Sequence, residues 1–227
     1  MRMTDVDRKA IAGLLRMVVI LPVLVFLPAW TIRYWQAWVC LLVFSACATV
    51  ITAYLMKRDP ALLERRLKAG AAAEKQMSQK VIQSLAVIGF IALLVIPGFD
   101  HRFRLSVVPP YAAIAGDLLI VVGFLFVSWV FKENSFTSGV IEVAAEQKVI
   151  ATGPYAWVRH PMYSGSLIML AGIPIGLGSW YGLLVMIPMT IVIIWRLLDE
   201  ERFLGENLVG YTEYKEKVRF RLIPAVW

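Results

Sequence analysis

The chain has 227 residues, 59% of them hydrophobic and 17% charged, with a net charge of +7. Soluble domains average about 45–50% apolar and about 25% charged residues, so this composition excludes an ordinary soluble domain. The excess charge reads as a membrane-topology signal with some attraction to anionic lipid, and no nucleic-acid partner is expected.

In chain order, six apolar stretches are expected to form helices: Ile11–Ala29, Gln36–Met56, Val81–Pro97, Tyr111–Phe131, Ser164–Gly178 and Tyr181–Leu198. A helix rises about 1.5 Å per residue and the hydrocarbon core is about 30 Å thick, so runs near 20 residues suit a bilayer. The first stretch lacks a small-x-small cleavage site at Pro28-Ala29-Trp30 and reads as a retained signal anchor. Cys40 and Cys47 share a face of the second and read as small buried or lipid-facing residues. Lys57–Lys80 is charged and amphipathic, suited to a helix lying along the headgroups. The fifth stretch is short and joined to the sixth only by Ser179 and Trp180, which predicts a tight helical hairpin. With only His101 and His160, expected on opposite sides of the membrane, a histidine-rich metal site is excluded and no metal is expected.

Nineteen of the 23 Lys and Arg residues fall on one side of the alternating spans. They lie in the N-terminus (Arg2, Arg8, Lys9), in Lys57–Lys80 (with Lys75 among them), in Lys132–Tyr163, and from Arg196 to the end. Positive residues stay inside, so both termini are expected in the cytoplasm, in a bacterial-type inner membrane. Trp30, Tyr34, Trp35, Trp38, Tyr111, Trp180 and Tyr181 fall at the opposite ends of the spans, where aromatic rings settle among headgroups. The expected fold is an all-α integral membrane protein of about six transmembrane helices, with a cytoplasmic catalytic loop and a C-terminal helix. It forms one domain over 1–227, with N-terminal transmembrane helices in 1–131 and the chemistry in 132–227.

Polar residues that could do chemistry are concentrated in Lys132–Tyr163 and Asp199–Trp227. Pro161 disfavours helical geometry at His160 and suits the first position of a helix. The fifth helix is therefore expected to begin at Pro161 with His160 near its N-cap. Arg159, His160 and the free N–H groups of that helix start would together attract an anion such as a carboxylate. After the sixth span come Asp199-Glu200-Glu201-Arg202, acids where topology would favour bases. Glu200 is spaced to pair with Arg196, while Glu201 could meet a cationic or hydroxyl-bearing ligand. Tyr211–Pro224, which mixes aromatics and bases, alone reads as a surface helix.

These two segments resemble the isoprenylcysteine carboxyl methyltransferase family and its phospholipid methyltransferase relatives. The shared pattern G-x-Y-x-x-V-R-H-P-x-Y-x-G runs from Gly153 to Gly165 without a gap. Glu200-Glu201 with Leu204, then Gly210-Tyr211, Tyr214, Val218, Arg221 and Pro224, match the family's tail, and Asn134-Ser-Phe136 its N-x-F. The resemblance covers roughly Lys132 to the C-terminus. It implies methylation dependent on S-adenosyl-L-methionine, held by Tyr155, Val158, Arg159, His160, Tyr163, Gly165, Glu200, Glu201 and Tyr214. The implied acceptor is a lipophilic or prenylated small molecule drawn from among membrane lipids, first of all a carboxylate, with Arg196 or Arg219 orienting it and Glu201 contributing to catalysis. Phospholipid N-methylation and thiol S-methylation are alternatives. A sterol-type NADPH reductase shares Arg-His-Pro-x-Tyr-x-Gly, but the Ser-Gly-Trp-Trp-Gly of those enzymes does not precede Arg-His here. A small transporter or scaffold ranks last, because charged residues within the spans are nearly limited to Arg16 and Asp117.

Overall fold

The computed structural model describes residues 3–74, 76–144 and 147–227. Arg2 and Lys75, counted above among the basic residues, lie outside them. Eight α-helices run α1 Asp5–Ala29, α2 Trp35–Arg58, α3 Pro60–Leu67, α4 Met77–Phe103, α5 Pro110–Glu133, α6 Pro161–Gly176, α7 Met186–Asn207 and α8 Tyr211–Lys217, and no strand occurs among the described residues. Five segments are long and apolar enough to cross a membrane: α1, α2, α4, α5 and Tyr181–Asn207, which joins a 3₁₀ turn to α7. The sixth, α6, has 16 residues and spans about 24 Å. The chain is an all-α integral membrane protein. Leu15, Val19, Leu42, Leu118, Leu125, Ile187 and Ile191 are exposed on these helices. So many outward apolar side chains are what lipid, rather than water, would surround.

Two clusters define the ends of the bundle. Ala10, Leu55, Leu62, Leu63 and Phe131 pack together at one end, which brings the start of α1 beside the ends of α2 and α5. This is the end where the Lys and Arg residues gather. At the other end the Tyr34 hydroxyl donates to the Leu177 carbonyl, and its ring stacks on His101 at 3.7 Å. Asp100 there accepts from the Ser106 amide at 2.7 Å, the Ser106 hydroxyl at 2.6 Å and the Ser179 hydroxyl. A carboxylate with these donors ties α4 to the reversal between α6 and α7.

That reversal is longer than the two residues expected. Leu177–Trp180 and the 3₁₀ turn Tyr181–Val185 intervene, and α6 lies chiefly along α5 instead of α7. Glycine is the reason. A Cβ on Gly172 would sit 2.6 Å from the Gly116 carbonyl oxygen, and one on Gly123 would sit 2.7 Å from the Met169 amide. Small residues let two helix backbones approach this closely, and packing then holds them without a hydrophobic effect.

The Lys57–Lys80 region is also broken up. Asp59 caps the eight-residue α3 through the Leu62 amide at 2.9 Å, and Gly70 turns the chain at φ 93°. Arg65 and Arg66 point inward, donating to the Ser135 and Ser138 carbonyls at 2.8 and 2.7 Å. The stretch serves as a brace under the segment after α5.

Replacing Gly172 by Val forces backbone apart and should cost about 1–3 kcal/mol, seen as a lower melting temperature in detergent. Gly13→Ala, with nothing within 4 Å of the new Cβ, should hold or raise it.

Candidate functional site

The site grows from the proline that starts α6. Pro161 is the first residue of the helix and His160 its N-cap, in non-helical geometry. Immediately before it the chain bends at Arg159, and the Arg159 and His160 amides donate to the carbonyls of Phe220 and Arg221 at 2.9 and 3.0 Å. The tail therefore does not continue as a helix past Lys217. It runs alongside 159–160, and Ser164 fastens it further through the Leu222 carbonyl at 2.6 Å.

Beneath this pairing sits Glu201, 7% exposed. One carboxylate oxygen takes Arg159 Nε at 2.6 Å and His160 Nε2 at 3.3 Å, and the other takes Arg221 Nε at 3.0 Å. Arg159 also donates to the Val218 carbonyl at 3.0 Å. The anion attracted by Arg159 and His160 is thus a carboxylate of the same chain. Glu200, the next residue, is different. It accepts from the Tyr163 hydroxyl at 2.5 Å, and no cation of the described residues lies within 4 Å of it. Arg196 pairs instead with Glu74 at 2.9 Å and donates to Gln79 and the Gly139 carbonyl. Relative to the sequence expectation, the two acids have exchanged parts: Glu201 is saturated, while Glu200 has no salt bridge among the described residues and feels Arg66 and Arg196 only at longer range.

Between these groups lies an open-mouthed cavity. Tyr155, Tyr163, Tyr211 and Tyr214 line it with Glu200 and Arg196. Arg159 and His160 reach its wall, whereas Glu201, Val158, Gly165 and Arg219 are not part of the lining. Val158 is buried behind it, Gly165 packs against Phe126 and Val127 of α5, and Arg219 is exposed. The Asn134 side chain explains the N-x-F pattern: its oxygen accepts from the Phe136 amide at 2.9 Å and its nitrogen donates to the Tyr155 hydroxyl at 3.0 Å. Tyr214 donates to the Tyr155 carbonyl at 2.7 Å, closing the wall. Gly153, at φ 56°, makes the turn that delivers Tyr155, and a Cβ there would meet the Glu133 carboxyl at 2.9 Å. Burial pushes the Tyr155, Tyr211 and Tyr214 phenols above their ordinary pKa, so they are hydrogen-bond donors at neutral pH. Residues absent from the sequence-based set, such as Phe136, Thr137 and Val140, enter the lining because α3 holds their segment over the site. Only the N-x-F pattern hinted at them. No group of three or more His, Cys, Asp and Glu able to hold a metal occurs among the described residues.

Residues 111–208, from α5 to the end of α7, match the model of the phospholipid methyltransferase family, which includes the isoprenylcysteine carboxyl methyltransferases. That is the family the two motifs resemble. No curated protein matches the chain.

Removing one partner of a buried ionic cluster strands the others and costs about 3–5 kcal/mol. Glu201→Ala should therefore melt well below wild type, while Glu200→Gln, which keeps a hydrogen bond to Tyr163, should melt close to it. Thermal unfolding of both proteins in the same detergent checks the contrast.

Proposed function

We propose that this protein is an S-adenosyl-L-methionine-dependent methyltransferase working at the cytoplasmic face of the membrane on a lipophilic carboxylate of the isoprenylcysteine type. The carrying observation is Glu200, a carboxylate of the family-matched segment with no salt bridge among the described residues, in a tyrosine-lined cavity. The donor carries a sulfonium and an ammonium group, and the residues present fit it. Glu200 suits the ammonium or a ribose diol, and the rings of Tyr155, Tyr211 and Tyr214 offer faces that attract a cation. Bound there, the donor supplies an electrophilic methyl group on a cationic sulfur.

The chain's own groups then favour a carboxylate acceptor over an amine. A carboxylate is ionised at neutral pH and needs no base, so the protein has only to orient it and exclude water. Arg196 lines the cavity and carries the positive charge for that orientation, while Glu74 and Gln79 hold it in place. An amine would arrive protonated and need a base. Glu201, already bonded to Arg159, His160 and Arg221, is a poor one. Arg219 is exposed and away from the lining, so Arg196 is the stronger of the two orienting candidates. The cavity sits at the end of apolar helices, where the tail of a lipophilic acceptor can stay in the bilayer.

Calorimetric titration of the detergent-purified protein with S-adenosylhomocysteine and, separately, NADPH tests the reading. Saturable binding of the former is expected, weakened about 10- to 100-fold by Glu200→Gln as a charge-assisted hydrogen bond is lost. Arg219→Ala should leave it within a factor of two or so. Binding of NADPH alone would move the chain to the reductases.

A further inference from the structure

Four phenols line the cavity, and three are satisfied by the protein. Tyr163 donates to Glu200, Tyr214 donates to the Tyr155 carbonyl, and the Tyr155 hydroxyl accepts from Asn134. The fourth, Tyr211, has a fully enclosed hydroxyl with no partner among the described residues. The Thr137 hydroxyl is enclosed and unpartnered in the same way, and it lines the same cavity. Unpaired buried hydroxyls are uncommon, because each keeps the cost of losing water without a bond in return. Two of them on one cavity, from separate elements, form a pattern. Thr137 comes from the segment braced by Arg65 and Arg66, and Tyr211 opens α8.

The Tyr211 position is not loose. Tyr211 is 4% exposed, its ring centroid lies 5.8 Å from that of Tyr214, and Leu208 and Val218 pack around it. The ring is therefore held in place, and the residue lines the cavity. Asp117, which also has unpaired buried oxygens, lies within α5 and is not in the lining.

Resting on the methyl-donor reading of this cavity, we infer that the Tyr211 and Thr137 hydroxyls bind the nucleoside half of the donor through its ribose hydroxyls and ring nitrogens. A hydroxyl is neutral and both gives and accepts hydrogen bonds, which matches the neutral donors and acceptors of a nucleoside. The charged amino-acid half is matched by the cavity's charged residues, Glu200 and Arg196. Tyr211, part of the tail pattern, thereby becomes a determinant of ligand choice.

The test is calorimetry on the full chain in detergent with S-adenosylhomocysteine and with adenosine, for wild type, Tyr211→Phe, Thr137→Val and the double variant. Each single change removes one neutral hydrogen bond and should weaken both ligands about 3- to 10-fold. The double variant should lose roughly the product of the two factors. The ligand-free melting temperature should hold or rise, since neither hydroxyl has a protein bond to lose. Unchanged affinity in the variants, with wild type binding normally, overturns the inference and leaves the methyl-donor reading standing. Weakening of S-adenosylhomocysteine but not of adenosine assigns the hydroxyls to the amino-acid half and overturns it too. A lower ligand-free melting temperature in Tyr211→Phe would reveal a structural partner for that hydroxyl and would likewise overturn the inference. Failure of wild type to bind S-adenosylhomocysteine overturns the underlying reading and this inference together.

Discussion

The arrangement of the site depends on one buried carboxylate. Glu201, in the last third of α7, holds Arg159 and His160 from the approach to α6 and Arg221 from the tail. Buried ion pairs contribute little net stability once desolvation is counted, but they penalise every arrangement that leaves a member unpaired. Here that penalty fixes where the tail runs. With Arg221 at Glu201, residues 220–221 meet the amides of 159–160, and α8 is brought over the cavity. Tyr211 and Tyr214 reach the wall as a consequence.

Three consecutive acids leave α7 in three directions, since neighbours on a helix differ by about 100°. Asp199 accepts from Gln79 of α4 at 2.8 Å, Glu200 from Tyr163 of α6, and Glu201 from the groups around Pro161 and the tail. The end of α7 is thus a hub joining α4, α6 and the C-terminus. It also separates two electrostatic duties. Glu201 and Glu74 are matched by arginines and hold the frame, while Glu200, with no salt bridge among the described residues, lines the cavity.

The membrane part supplies rigidity to this end. The glycine seam locks α6 to α5, and the Asp100–Ser106–Ser179 bonds pin the far end of the α6–α7 reversal. Pro161 and the end of α7 are therefore held at fixed spacing. A hub built on helices holds its side chains more accurately than one built on loops.

Hydropathy and motif spacing determined much by themselves. Apolar runs of bilayer length must be helices, because lipid offers the backbone no hydrogen-bond partner. The proline after His160 set the start of α6, and the Gly153–Gly165 and Glu-Glu patterns marked the region of the site. These are local consequences of chain chemistry. Which acid faces the cavity was not local. Arg196 stands one helical turn before Glu200, yet Glu74, more than a hundred residues earlier, takes it, so the expected pair does not form. Tyr211–Pro224 reads as a surface helix, but the helix stops at Lys217, and beyond it Arg221 turns to Glu201 across the fold. Thr137 and Tyr211 carry no sequence signal that their hydroxyls lack partners. That property belongs to the packing around them, and tertiary structure alone decides it.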